Sequence, residues 1–233
     1  MNNENTPISI VMLGATGAVG AQTLEALLEI DEVNNISLLG RRPVSNISAE
    51  YVSQYKIDIF NPNSYADILT DFDVAICTLG VGQPSKMSKE EFIKIDKLAV
   101  IDFAKACKKS GIRHFELLSS VGIDSKSFSF YLRTKGELVN ELESLQFDRL
   151  SIFQPSMILT PKNRYGILQG ILLLTWPLLN PILLGSLKKY RGIKVDKLGK
   201  ALAKNIFQMK KDLPAAQRKA GFEVLTWKEF QEF

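Results

Sequence analysis

Tyr131 and Lys135 stand four residues apart in Tyr131-Leu-Arg-Thr-Lys135, the spacing that stacks two side chains on one face of a helix. A phenol titrates near ~10 and moves protons poorly at neutral pH unless a neighbouring cation stabilises its anion. Lys135 is the cation this spacing supplies. Ser120 lies 11 residues before Tyr131, in the pair Ser119-Ser120. A hydroxyl there would hold a substrate carbonyl while the tyrosine gives or takes its proton. Tyr131, Lys135 and Ser120, with Ser119 as a substitute for Ser120, therefore suit the interconversion of a carbonyl and an alcohol.

A second group of residues suits phosphate. Gly14-Ala15-Thr16-Gly17-Ala18-Val19-Gly20 follows an apolar run and opens a helical pattern. Such a loop lets a pyrophosphate approach the backbone, and the first helical turn offers its N–H groups and positive dipole end. Gly14, Thr16, Gly17, Ala18, Val19 and Gly20 are the expected cofactor-binding residues of this loop. Arg41 and Arg42 follow the second strand, where an acidic residue would bind the 2′-hydroxyl of NAD. Two guanidinium forks there suit a 2′-phosphate instead, so the expected cofactor is NADP(H). Asp58, at the end of the third strand, is expected to accept from the adenine amino group. Leu79-Gly80, ending the fourth, is expected to let the backbone pass the nicotinamide-side ribose.

The elements that must position these residues alternate. Apolar runs predict strands over 8–13, 36–39, 55–59, 74–79, 115–118 and 149–153, with a short strand over 223–225. Helical periodicity follows the glycine loop and returns over 88–109, 131–145 and 196–209; Ser88 is the cap and Gly111 the stop of the long helix. Strands alternating with helices predict an α/β fold with a doubly wound, mostly parallel sheet. The chain is read as a single domain over 1–233, of which 160–233 forms a small substrate-side cap.

Composition narrows the chemistry. At 45 % hydrophobic and 23 % charged, the chain can bury a core. A net charge of +4 with scattered cations argues against nucleic acid as the main partner. His114 is the sole histidine, so no metal site is expected, and it reads as a structural or surface residue. Cys77 and Cys107 read as packing thiols, and Lys89-Glu90-Glu91 as a solvated helix start. Residues 1–7 are polar and lack a secretory layout, which predicts a cytoplasmic address.

The runs His114-Phe-Glu-Leu-Leu-Ser-Ser-Val-Gly122, Tyr131-Leu-Arg-Thr-Lys-Gly-Glu137 and Phe147-Asp-Arg149, with the glycine loop, Gly40-Arg41-Arg42 and Cys77-Thr-Leu-Gly80, resemble the atypical short-chain dehydrogenases near the Tat-interacting-protein oxidoreductases and the NmrA-like proteins. The resemblance covers about the first 160 residues. It implies a Rossmann fold, NADP(H) bound through Thr16 to Val19, Arg41, Arg42, Leu79, Gly80, Tyr131 and Lys135, and Tyr131 as proton donor or acceptor. It further implies that Ile158 touches the nicotinamide end. Where the group commonly has Arg-Pro-Gly, this chain has Gln154-Pro155-Ser156.

Between Arg164 and Lys188 lie 23 residues without a formal charge. Pro177 and Pro181 break the stretch, so residues 166–187 are expected to form a buried lid or subunit contact, which would make a homodimer and leave the substrate pocket apolar. Basic flanks keep a peripheral membrane contact as the alternative, ahead of a membrane span. The expected function is an NADP(H) oxidoreductase acting on a small apolar carbonyl or alcohol. A sugar-nucleotide epimerase and a non-catalytic NADP(H)-sensing module are the other readings.

Overall fold

The computed structural model describes residues 7–161, 176, 180–207 and 221–233. Strand β1 (Ile8–Leu13) is buried along nearly its whole length, which requires a neighbour on each edge and a helix layer on each face. Its neighbours are β2 (Val33–Gly40) and β4 (Val74–Cys77), both parallel to it, with Met12 opposite Leu38 and Ile76. The remaining strands are β3 (Val52–Lys56), β5 (His114–Leu118), β6 (Arg149–Phe153) and β9 (Gly221–Leu225). Among the described residues these seven form one parallel sheet in the order β3-β2-β1-β4-β5-β6-β9. The expected doubly wound Rossmann arrangement is thus the fold of this chain. Its winding reverses between β1 and β4, and a crevice opens there at the carboxyl ends of the strands.

Helix α1 (Ala18–Leu28) and helix α5 (Val195–Asn205) cover one face, burying Leu24, Leu27, Leu198 and Leu202 against Ile10, Met12 and Ile36. The other face carries one continuous helical rod. It starts as α2 (Lys89–Ile93), widens to a π-turn at Lys94–Leu98 and continues as α3 (Ala99–Lys109). Ser88 caps it in a reciprocal box with Glu91, and Gly111, at φ +85°, stands just beyond its end. Helix α4 (Phe130–Ser144) lies beside the rod, and Phe103, Leu138 and Leu142 join Val11, Leu13 and Phe115 in the second core.

One expectation needs correction, and two features go beyond the reading of the sequence. The third strand spans Val52–Lys56 and not 55–59: β3 is an edge strand whose residues face water, so apolar content marks the loop after it better than the strand itself. The part expected as a cap contributes α5, packed on α1, and β9, which pairs with β6 inside the main sheet. A short ribbon of β7 (Ile158–Leu159) and β8 (Ile193–Lys194), two residues each, had too little pattern to be foreseen. Most of the first part of the uncharged stretch, residues 165–175 and 177–179, lies outside the described residues, as do 162–164 and residues 208 and 209 of the helix expected over 196–209.

Candidate functional site

The glycine loop is built for close approach. Gly14 sits at φ +101°, and a Cβ there would stand 2.6 Å from the backbone of Thr78 and Leu79 at the end of β4. A Cβ on Gly20 would run into the Gly14 carbonyl and the Thr78 hydroxyl. Thr78 N–H in turn donates to Leu13 O at 2.8 Å, so the loop is pressed onto the carboxyl ends of β1 and β4. Gly17 is the N-cap of α1, with no capping side chain and no acid in the first turn. The positive end of the helix therefore carries no neutralising carboxylate of its own, and the cradle fits a pyrophosphate. Thr16 is exposed, while Val19 and Gly20 are buried, so those two could meet a ligand only through their backbone.

Beside the cradle is a cleft of 330 Å³ lined by Gly14, Thr16, Arg41, Arg42 and Leu79, with Gln54, Tyr55 and Lys56 from β3. Neither Arg41 nor Arg42 has an ion-pair partner among the described residues. Asp58 does not line the cleft. Its carboxylate accepts from Phe60 N–H at 3.0 Å and its backbone bonds the Ser64 hydroxyl, so it closes its own turn. This follows from the earlier end of β3, which leaves Asp58 in the loop.

Tyr131 and Lys135 share one face of α4, and that face meets a matching pair on the neighbouring rod. The Tyr131 ring packs on Phe92, with centroids 5.6 Å apart. The Lys135 ammonium lies 2.7 Å from Asp96 Oδ1, with the two side chains 4 % and 2 % exposed. Asp96 is on the π-turn, and its other oxygen accepts from Val81 N–H at 2.7 Å. The lysine expected to face the phenol and a ribose is thus held by a buried carboxylate, which leaves two of its three N–H donors for other partners. Through Asp96 the tyrosine–lysine helix is tied to Val81, two residues after the cleft residue Leu79.

The two serines differ. Ser119 N–H extends the ladder to Phe153 O at 2.7 Å, and its hydroxyl is buried without a partner among the described residues. Strand alternation puts it in the row of Phe115 and Leu117, the α4 side. Ser120 is half-buried in the opposite row. Ile158 stands in β7, packed against the core under α1 and α5, and does not line the cleft. In the Gln154-Pro155-Ser156 segment, Pro155 O accepts from Val121 N–H at 3.0 Å and so fixes the loop that follows Ser120.

A family model described as NAD(P)H-binding matches residues 14–162, from the first loop glycine to just past β7. The chain belongs to this NAD(P)H-binding family. The HTATIP2 protein of Rattus norvegicus is 35 % identical over 157 residues, which are 66 % of this chain and 64 % of that protein. The chain thus spans less than two-thirds of that relative's length. The mitochondrial FMP52-1 protein of Scheffersomyces stipitis is 30 % identical over 193 residues, 82 % of this chain and 81 % of that one. A UDP-galactose 4-epimerase structure superposes with TM-score 0.66 at 17 % identity, covering 94 % of this chain and 76 % of the epimerase, a likeness of fold. Six fungal relatives are named mitochondrial, which overturns the expected cytoplasmic address.

Three residues beside the glycine cradle were missed. Asp96 had a signal: it occupies the stripe of Phe92, Ala99, Phe103 and Cys107 on an otherwise apolar helix face. Gln54 and Lys56 had none, as polar residues on a strand that faces water.

At the opposite, amino ends of the strands lies a second buried polar cluster. His114 Nε2 is 2.9 Å from the Ser151 hydroxyl and 3.5 Å from Glu116 Oε1, and Asn205 donates to Glu116 at 2.8 Å. Arg149 holds the carbonyl and side chain of Asn205 and the carboxylate of Glu223. Burial pushes the Glu116 carboxyl up to about 8 and, with Arg149 nearby, holds the His114 ring well below its ordinary range. His114 is a structural residue, tying β5 to β6.

Proposed function

We propose that this chain is an NADP(H)-dependent oxidoreductase of the short-chain dehydrogenase kind, acting on a small apolar carbonyl or alcohol. The observation that carries the reading is the link from Lys135 through Asp96 to Val81, which sets the tyrosine–lysine face beside the strand end that closes the cradle. The cradle residues Gly14, Thr16, Gly17, Ala18, Val19 and Gly20 would hold the pyrophosphate through their backbone, and Arg41 and Arg42 the 2′-phosphate. Leu79 and Gly80 would flank the ribose. Bound NADP(H) supplies or accepts a hydride at its nicotinamide ring. Tyr131 gives a proton to the substrate oxygen, or takes it from the hydroxyl in the reverse direction, and solvent restores the phenol. Lys135 orients ribose hydroxyls with the donors that Asp96 leaves free. Ser119, with its unpartnered hydroxyl, or Ser120 holds the carbonyl. The names of the fungal relatives support a mitochondrial setting.

One observation favours a second reading. The Lys135 charge is already balanced by Asp96, as it would be in a module that binds NADP(H) without turnover and reports its oxidation state to a partner. Following NADPH consumption over a panel of aldehydes, ketones and quinones separates the two. An enzyme loses at least ~10²-fold in turnover with Tyr131→Phe, the scale of general acid–base help, while NADPH affinity stays within a few-fold. Turnover that survives Tyr131→Phe would remove the tyrosine from the mechanism. Absence of turnover, with a partner complex that depends on the cofactor's oxidation state, would install the second reading.

A further inference from the structure

The cleft beside the cradle holds a cation that neither the glycine loop nor the arginine pair accounts for. Lys56 is the last residue of β3, in register with Gly40 of β2, the residue directly before Arg41 and Arg42. Its side chain is exposed, lines the same cleft as both guanidiniums and has no ion-pair partner among the described residues. Two residues earlier on the same strand face, Gln54 grips the loop that carries the arginines. Its Oε1 accepts from Val44 N–H at 2.7 Å, and its Nε2 donates to Val44 O at 3.1 Å. One amide side chain thus closes both backbone valences of Val44 and sets the end of Arg41-Arg42-Pro43-Val44 over β3.

We propose that Lys56 is the third cation of a phosphate-monoester subsite formed with Arg41 and Arg42, and that Gln54 is its positioning residue. The inference rests on the NADP(H) reading above and extends it from two side chains to four. A 2′-phosphate carries between one and two negative charges at neutral pH, and two guanidinium forks with one ammonium suit it. The strand geometry supplies the reason for the choice of residue. Positions 54 and 56 share a face, so the side chain that fixes the loop and the one that completes its charge stand side by side. NADH has a hydroxyl in place of that phosphate, so the subsite discriminates and contributes little else.

The test is titration of the full-length protein with NADPH and with NADH, followed by cofactor fluorescence. Lys56→Ala is expected to weaken NADPH about 5- to 10-fold and leave NADH within twofold, the scale of one charge-assisted contact in a cleft. Lys56→Arg should keep the preference. Gln54→Ala is expected to weaken NADPH about 3-fold in the unmutated background and to have no further effect once Arg41 and Arg42 are both alanine, since it acts through them. Unmutated protein that binds both cofactors equally would sink the NADP(H) reading and this inference with it. A preference that collapses in Arg41→Ala but survives Lys56→Ala would overturn the inference and leave the reading standing. Equal losses for NADPH and NADH in Lys56→Ala would overturn it too, because the lysine would then be serving a part the two cofactors share.

Discussion

Moving an ammonium and a carboxylate out of water costs several kcal/mol per ion, recovered only when the contact is short and the spare valences are filled. Lys135 and Asp96 meet at 2.7 Å, and Asp96 spends its second oxygen on Val81 N–H. Asp96→Asn keeps the shape and leaves the ammonium buried without a counter-charge. It is expected to lower the unfolding free energy by about 3–5 kcal/mol in urea denaturation. Asp96→Leu combined with Lys135→Met removes both charges and should recover most of that loss. A cost below about 1 kcal/mol for Asp96→Asn would mean that water reaches the ammonium, as at an exposed pair. At this scale the sequence was partly legible. The spacing of Tyr131 and Lys135 predicts their shared face, and Phe92 and Asp96 complete it at the same spacing on the facing rod. What spacing cannot supply is the partner: Lys135 chooses Asp96 because the π-turn brings that carboxylate inward, a long-range fact of packing.

The two ends of the strands differ in chemistry and in what they do to stability. At the amino ends, Glu116 stays protonated to about pH 8 because it is buried, whereas an unfolded glutamate ionises near ~4.5. The folded state therefore holds the extra proton between those values, and stability falls as pH rises through that window. His114 has the opposite sign: kept neutral by burial and Arg149, it binds fewer protons than the unfolded chain below ~6.5, so stability is lost as pH falls there. The two slopes oppose each other between ~4.5 and ~6.5, leaving Glu116 alone from ~6.5 to about 8. Chemical denaturation across that last interval should show a loss of about 1–2 kcal/mol, and Glu116→Gln should flatten it. An equal slope in Glu116→Gln would assign the loss to another group. The strands that frame this cluster were read from their apolar runs to within a few residues, since β1, β4, β5 and β6 are buried and, outside the cluster itself, mostly apolar. The edge was not: β3 and the two-residue β7 and β8 carry no alternation, because water or a partner loop satisfies what a core would otherwise demand.

On the scale of the whole molecule, the longest described run of the uncharged stretch, residues 180–187, is anything but buried. Ile182 is 72 % exposed, Leu184 62 % and Leu187 49 %, with Tyr190 beside them. The same segment is firmly attached to the body. Arg191 donates to Leu183 O at 2.8 Å and lies over the Trp227 ring, Asn180 accepts from Gly192 N–H, and Trp227 donates to Gly192 O. The tip at 180–187 is thus pinned with its apolar side chains still pointing outward. Residues 181–194 also carry Lys188, Lys189, Arg191 and Lys194 and no acid. Among the described residues no helix is long and apolar enough to cross a membrane, and this exposed tip is the described surface that suits contact with lipid. Apolar residues beside unopposed lysines suit an anionic bilayer, where each cation near the surface adds about 1 kcal/mol and each inserted side chain a similar amount. Co-sedimentation with vesicles containing anionic phosphatidylglycerol is the measurement. Binding is expected, weaker on neutral phosphatidylcholine and released by high salt. Ile182→Ser with Leu184→Ser should reduce it at least ~10-fold without altering NADPH affinity, because the tip does not line the cofactor cleft. A dimer that the same substitutions dissociate, with no binding to either vesicle, would give this surface to a second copy of the chain instead.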